Sequence, residues 1–205
     1  MSSQPEIKCM GVVGAGQMGR GIAQVSAAAG LQVRMLDLNA AALDKSMAAL
    51  GRDLARLVQK GLMKPTASEQ TLARVLPTTE ISDLSDCDFV IEAATEDQAL
   101  KQRIFTELDQ HVKPSAILAS NTSSISLTKL AGVTTRPEQV VGMHFMNPVP
   151  RMKLVEIVRA LQTSEETYDI TRVLSERLGK TSITTKDMPG FIVNRMLIPF
   201  INEAC

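Results

Sequence analysis

At 205 residues, with 22 Lys+Arg balancing 22 Asp+Glu, the chain is long enough for one sizeable α/β domain, or for one domain plus a fragment of another, and carries no formal net charge. That balance speaks against a nucleic-acid footprint or a polybasic membrane patch, and no run approaches the roughly 20 apolar residues of a membrane span. Three cysteines far apart in sequence (Cys9, Cys87, Cys205), two histidines and an opening MSSQPEIK without an apolar signal core speak against a disulfide framework or metal site, and for reduced thiols in a cytoplasmic setting.

The first predicted unit is strand, glycine-rich turn, helix, strand, acid. A short apolar run, Met10 to Val13, enters Gly14-Ala15-Gly16-Gln17-Met18-Gly19, which opens an alanine-rich helical stretch ending at Gly30, and a second apolar run closes on Asp37. Gly14 permits the tight turn, Gly16 lets a pyrophosphate approach the backbone with no Cβ in the way, and Gly19 lets the helix pack close to the strand. The diphosphate then rests on unpaired N–H groups at the positive end of the helix dipole. Asp37 lies 23 positions after Gly14, near the roughly 20 expected of a carboxylate that accepts hydrogen bonds from the adenosine ribose. No arginine follows it directly, so its charge would repel a 2′-phosphate, and NAD is the expected cofactor.

Apolar positions at three- and four-residue steps then predict an amphipathic helix from about Ala40 to Gln59, stopped by Lys60-Gly61. Lys60 projects from its end, either as a phosphate contact for a long substrate or as a solvated lysine at a helix C-terminus. Pro65 precedes a predicted short helix, Ser68 to Leu76, and an acidic turn-rich stretch follows. Phe89-Val90-Ile91, leading into Glu92, has the composition of a buried parallel strand. Glu96 and Lys101, just past its carboxyl end, are candidate cofactor contacts, although Glu96 and Asp97 equally suit the N-terminus of the next helix.

Ala116 to Ala119 predicts another strand, ending in Ser120-Asn121-Thr122-Ser123-Ser124, which reads equally as a site or as a capped turn before a short helix near Ser126 to Ala131. Val140 to Met143 runs into His144-Phe145-Met146-Asn147-Pro148, and Met152 to Val158 returns as an alternating strand carrying Glu156. If the two pair, imidazole and carboxylate meet; a carboxylate inside an apolar strand needs a partner, and His144 is the obvious one. Thr163-Ser164-Glu165-Glu166 reads as a capping box for a helix stopped by Gly179, Lys180 to Thr185 as a last strand, and Phe191 to Asn202 as a strongly apolar helix that needs another surface to cover it.

Taken together, GVVGAGQMGRGIAQ from Gly11, VIEAATED from Val90, ASNTSS from Ala119, HFMNPVPRMKLVE from His144 and KDMPGFIVNR from Lys186 closely resemble the L-3-hydroxyacyl-CoA dehydrogenase family, including the 3-hydroxybutyryl-CoA dehydrogenases. The resemblance implies an α/β, Rossmann-type, doubly wound and mostly parallel sheet over residues 1–189. It also implies that residues 190–205 begin an all-helical C-terminal domain, absent after Cys205, which in the family closes over acyl-CoA and makes the homodimer. It assigns hydride transfer between (S)-3-hydroxyacyl-CoA and NAD in fatty-acid β-oxidation, with His144 as general base and Glu156 orienting it. By the same match, Ser123 holds the substrate oxygen and Asn194 positions substrate. Gly14, Ala15, Gly16, Gln17, Met18, Gly19, Asp37, Glu96, Lys101 and Asn147 meet the cofactor. Lys60 and Asn147 meet the substrate, though Asp53 stands where the family carries a serine on the Lys60 helix. Two alternatives stay open: a dehydrogenase of a small free hydroxy acid, and an NAD-binding chain without catalytic activity.

Overall fold

The computed structural model describes residues 6–204, so Cys205 lies outside it. Eight strands form one sheet in the order β3-β2-β1-β4-β5-β6-β7-β8: β1 (Cys9–Val13), β2 (Gln32–Leu36), β3 (Val75–Thr78), β4 (Phe89–Glu92), β5 (Ile117–Ser120), β6 (Val140–Phe145), β7 (Leu154–Arg159) and β8 (Thr181–Lys186). From β3 to β6 every neighbour is parallel; β7 runs antiparallel to β6, and β8 is parallel to β7. The order reverses between β1 and β4, which opens a crevice beyond their carboxyl ends, where ligands of such sheets bind.

The described residues form seven α-helices, of which the first six pack on the sheet: α1 (Gln17–Ala28), α2 (Ala40–Gln59), α3 (Pro65–Ala73), α4 (Gln98–His111), α5 (Leu127–Ala131), α6 (Glu165–Arg177) and α7 (Val193–Ala204). Strand alternation divides the core between them. Met10, Val12, Ile91 and Ile157 bury against Ile22 of α1, Leu50 of α2 and Leu174 of α6. Val13, Val90, Leu118 and Val158 face Phe105 of α4 and Leu130 of α5. Both faces are therefore covered, as a doubly wound parallel sheet requires.

The periodicity of α2 gives its bounds, and Asn39 caps it by accepting from the Ala41 and Ala42 amides. Four expectations shift. The short helix begins at Pro65, a residue at home at the first helical position, and ends at Ala73. Residues 75–78, read as helix tail and turn, form edge strand β3, where Pro77 is tolerated because an edge leaves one side of the ladder unpaired. Ser164 rather than Thr163 caps α6, accepting from the Thr167 amide, while Thr163 donates its hydroxyl proton to the Val140 carbonyl. The last helix starts at Val193, because Gly190 (φ 75°) and Phe191 (φ 48°) turn the chain through the left-handed region first. On α7, Met196, Ile198 and Phe200 are exposed. Among the described residues, no helix is long and apolar enough to cross a membrane.

Candidate active site

The glycine turn is shaped by what a Cβ would strike. Gly14 sits at φ 105°, with a Cβ position 2.8 Å from the Ala93 carbonyl oxygen, and a Cβ on Gly19 would fall 1.8 Å from the Gly14 oxygen. Those two glycines let β1, the turn and α1 close on one another. Gly16 is different: its Cβ position meets nothing within 4 Å. It faces open crevice at the N-cap of α1, with no side chain capping the helix and no acid in the first turn, so the helix presents its free N–H groups and positive end to an incoming anion.

Asp37, at the end of β2, is fixed between two backbone amides: Ala15 N–H donates to Oδ2 at 2.8 Å and Asn39 N–H to Oδ1 at 2.9 Å. A cleft of about 1040 Å³ extends from Gly14, Ala15, Gly16, Gln17 and Asp37 past Ala94 to Ile104, a size that suits a ligand much larger than a metabolite fragment. Arg20, Lys45 and Arg103 also line it. Those cations sit on α1, α2 and α4 and carry no common spacing, so they left no signal in the sequence. Met18 packs half-buried against the core behind the turn.

A buried ionic network supports the loop after β4. Glu92, fully buried, accepts from Lys101 Nζ at 2.6 Å and the Ala94 amide at 2.7 Å on Oε1, and from the Ser120 hydroxyl at 2.6 Å on Oε2. Lys101 is only 1 % exposed; its ammonium also reaches the Ala94 carbonyl and Glu96 Oε2, both at 3.3 Å. The structure therefore places Lys101 behind Glu96, as its holder, and not in the open crevice. Glu96 Oε1 in turn accepts from the Thr122 hydroxyl at 2.5 Å, the Ser123 amide at 2.9 Å and the Ser123 hydroxyl at 3.2 Å. Burial alone would raise its pKa, but the Thr122 and Ser123 hydrogen bonds and the Lys101 charge outweigh that and hold the carboxyl below its usual value. Asp97, by contrast, is the N-cap of α4, accepting from the Leu100 amide.

The second half of the site lies on the antiparallel pair. His144 and Glu156 stand directly opposite each other on β6 and β7, and His144 Nδ1 lies 2.7 Å from Glu156 Oε2. Glu156 is fully buried. Its other oxygen accepts from the Ile192 amide at 2.9 Å and the Val193 amide at 3.0 Å, at the start of α7, where the helix dipole favours a carboxylate. The Phe191 ring packs edge-on to the imidazole, 5.8 Å between centroids. Neither Phe191 nor these amides was foreseen: the contact joins residues 36 apart through a positive-φ turn that no periodicity reports.

The two halves are stitched together. Gln17 Nε2 donates to Asn147 Oδ1 at 3.1 Å, the Phe145 amide donates to Asn121 Oδ1 at 2.9 Å, and Asn194 Nδ2 donates to the Ser123 carbonyl at 3.4 Å. The loop carrying Asn147 is held by Lys180, whose ammonium donates to the carbonyls of Val149 at 2.5 Å and Met152 at 2.9 Å. His144, Glu156, Ser123, Asn194, Glu96, Asn147 and the glycine turn thus form one connected region. Lys60 stands apart, exposed as the C-cap of α2, and Asp53 on that helix pairs with Arg20 at 3.8 Å and Arg56 at 3.5 Å.

The family described as "3-hydroxyacyl-CoA dehydrogenase, NAD binding domain" matches residues 9–188. The 3-hydroxybutyryl-CoA dehydrogenase of Bradyrhizobium diazoefficiens is 48% identical over 198 residues, covering 97% of this chain and 68% of that protein. A probable 3-hydroxybutyryl-CoA dehydrogenase of Deinococcus radiodurans is 50% identical over 194 residues, 95% of this chain and 69% of that one. The crystal structure of (S)-3-hydroxybutyryl-CoA dehydrogenase from Ralstonia eutropha superposes with a TM-score of 0.95 at 50% identity, over 97% of this chain and 70% of the other. The chain therefore belongs to the 3-hydroxyacyl-CoA dehydrogenase family and carries its NAD-binding domain.

Proposed function

We propose that the protein interconverts (S)-3-hydroxyacyl-CoA and 3-oxoacyl-CoA with NAD as redox partner, with 3-hydroxybutyryl-CoA among its substrates, and that His144 is the general base. The observation that carries this reading is the His144–Glu156 contact of 2.7 Å with Glu156 fully buried. With Oε1 already receiving two backbone N–H groups, Glu156 acts as an acceptor on both oxygens, so His144 Nδ1 carries the proton. The lone pair of Nε2 is then free to take the proton of the substrate 3-hydroxyl, and Glu156 faces the positive charge that develops on the ring.

The residues present fit NAD: open space at Gly16, free N–H groups at the start of α1, and an anchored Asp37 carboxylate for the ribose. When bound, NAD supplies the acceptor for the hydride leaving C3. In this reading Gly14, Ala15, Gly16, Gln17 and Asp37 meet the dinucleotide, Glu96 meets it from beyond β4 with Lys101 behind, and Asn147 lines the place where cofactor and substrate meet. The Ser123 hydroxyl, on Glu96 Oε1 at 3.2 Å in this structure, turns to the substrate oxygen when substrate is bound, and Asn194 positions substrate. Lys60 is assigned to the coenzyme A moiety from the surface of α2.

Residues 1–189 are taken as the NAD-binding domain and 190–205 as the start of a helical unit that closes over the acyl chain and makes a homodimer. The exposed apolar side chains of α7 support that division. Cytoplasmic fatty-acid oxidation is the setting that goes with the reading.

Oxidation of NADH by acetoacetyl-CoA, set beside free acetoacetate and beside NADPH, tests it. Turnover with the thioester and NADH is the expected result. Equal turnover with free acetoacetate would make the protein a dehydrogenase of small hydroxy acids, and NADH binding without turnover of either would reduce it to a binding protein. Tighter binding of NADPH than NADH would overturn the role given to Asp37.

A further inference from the structure

Two thiols that lie 78 residues apart meet at the amino ends of β1 and β4, in the middle of the sheet and at the end opposite the His144 site. Cys9 begins β1, and Cys87 immediately precedes Asp88, whose amide donates to the Cys9 carbonyl at 2.9 Å. The sulfurs are 3.5 Å apart and neither is in a disulfide. Cys87 lies in the turn just before β4, the neighbour of β1 in the sheet, and the two sulfurs must close from 3.5 Å to about 2 Å for a disulfide to form. Both thiols are buried, Cys87 fully and Cys9 with 8 % of its surface exposed, so Cys9 is the one nearer solvent.

The surroundings differentiate the two sulfurs. The hydrogen-bond contact with Cys87 holds the Cys9 thiol below its usual pKa; burial and the carboxylates of Asp86, to which Cys9 Sγ donates at 3.9 Å, and Asp88 act against that, and the Arg34 guanidinium acts with it. The same hydrogen bond and deeper burial push the Cys87 thiol strongly upward. Arg34 donates to Asp86 at 3.3 Å, and its Nε is buried without a hydrogen-bond partner. The Arg34 charge favours an anionic sulfur at Cys9. Cys9, Asp86 and Cys87 also place three possible ligand atoms within 4.8 Å of one another, but the guanidinium already on Asp86 opposes a cation.

We propose that Cys9 and Cys87 are a peroxide-responsive dithiol that closes to an intrachain disulfide, with Cys9 as the attacking and Cys87 as the resolving thiol. The Cys9 thiolate attacks one oxygen of hydrogen peroxide; the S–O bond forms, the O–O bond breaks, and the departing hydroxide takes a proton to leave as water. Cys87 then attacks Cys9 Sγ; the S–S bond forms, the S–O bond breaks, and hydroxide leaves as water with the Cys87 proton. The two thiols lose two electrons and two protons, and one peroxide becomes two waters.

The test is thiol titration of the denatured protein before and after exposure to hydrogen peroxide, with a peptide map. The expected result is a fall from the three thiols of the sequence to one, with the Cys9 peptide joined to the Cys87 peptide and released by dithiothreitol. In Cys87→Ser, checked for folding by NADH binding, that link is lost and Cys9 is trapped by dimedone as the sulfenic acid. The wild-type map decides alone should that variant not fold. Sulfinic acid at Cys9 with Cys87 still free, bonds to Cys205 instead, no oxidation of either thiol, or thiols that react only after a zinc chelator is added would each overturn the proposal.

Discussion

The glycine turn after β1 and the His144–Glu156 pair on β6 and β7 are built by opposite means. The turn is defined by what is missing: no Cβ at Gly14 and Gly19, where one would strike backbone at 2.8 and 1.8 Å, and none at Gly16, where one would project into open space. The pair is defined by what is present: a buried carboxylate whose two oxygens are fully occupied by an imidazole and by the amides that begin α7. The first kind of site is a matter of backbone alone, Gly19 against Gly14 within the turn and Gly14 against Ala93 beyond β4. The second is tertiary and depends on a strand pairing and a turn 36 residues further on. Cofactor docking and proton transfer should therefore fail separately.

The sharpest break between them comes from the glycines. Gly19→Ala drives a Cβ into the Gly14 carbonyl, so the turn cannot close, and NADH binding and turnover are both expected to be lost along with several kcal/mol of stability. Gly16→Ala, one turn away, has room; the protein should melt as the parent does while NADH affinity falls, because only an incoming ligand meets the new methyl. Calorimetry and fluorescence titration of the two variants check this contrast.

Glu156→Gln comes next. Both oxygens face donors, and an amide must turn its NH₂ toward one of them, which leaves a buried mismatch of about 1–3 kcal/mol. Turnover should fall about 10- to 100-fold and the melting temperature by about 2–4 °C for each kcal/mol, with NADH affinity unchanged. Asp37→Ala should do the reverse: NADH affinity falls about 10-fold or more through loss of a charged acceptor, while turnover at saturating NADH is largely kept.

Acid has a smaller effect, with a definite sign. Glu96 and Asp187 both have folded pKa values below their usual ones: burial works against this, and hydrogen bonds from Thr122 and Ser123 on Glu96, and from Ser126, Thr128 and Leu127 on Asp187, outweigh it. Their stabilisation is complete above the unfolded carboxyl range near pH 4 and is lost as pH falls through the lowered folded values. Melting temperature against pH should therefore drop below about pH 4, and Asp187→Asn should flatten part of that drop.

What the sequence made legible follows the same division. Gly14, Gly16, Gly19 and Asp37 were readable because a tight turn and a ribose acceptor each demand one residue type at one spacing. The bounds of α2 were readable because its stripe runs without interruption to Lys60-Gly61. His144 and Glu156 could be paired because a buried strand and a strand returning after a proline turn carry them, and a carboxylate inside an apolar strand needs a partner. Edge strand β3 was not legible: four residues with Pro77 and two exposed side chains carry no alternation. The Glu92–Lys101–Ser120 network was hidden because its members belong to three different elements, and Lys101 in particular reads as a cofactor contact in the crevice until the fold buries it. Cys9 and Cys87, read as remote thiols, meet only because β1 and β4 are neighbours in the sheet.

The most direct test of the separation is His144→Ala, read for NADH affinity and for acetoacetyl-CoA-dependent NADH oxidation on the same preparation. Loss of a positioned general base should lower turnover by about 100- to 10,000-fold, while NADH affinity stays at the parent value. Turnover equal to the parent, or loss of NADH affinity in step with activity, would contradict the assignment of proton transfer to His144 and cofactor binding to the glycine turn.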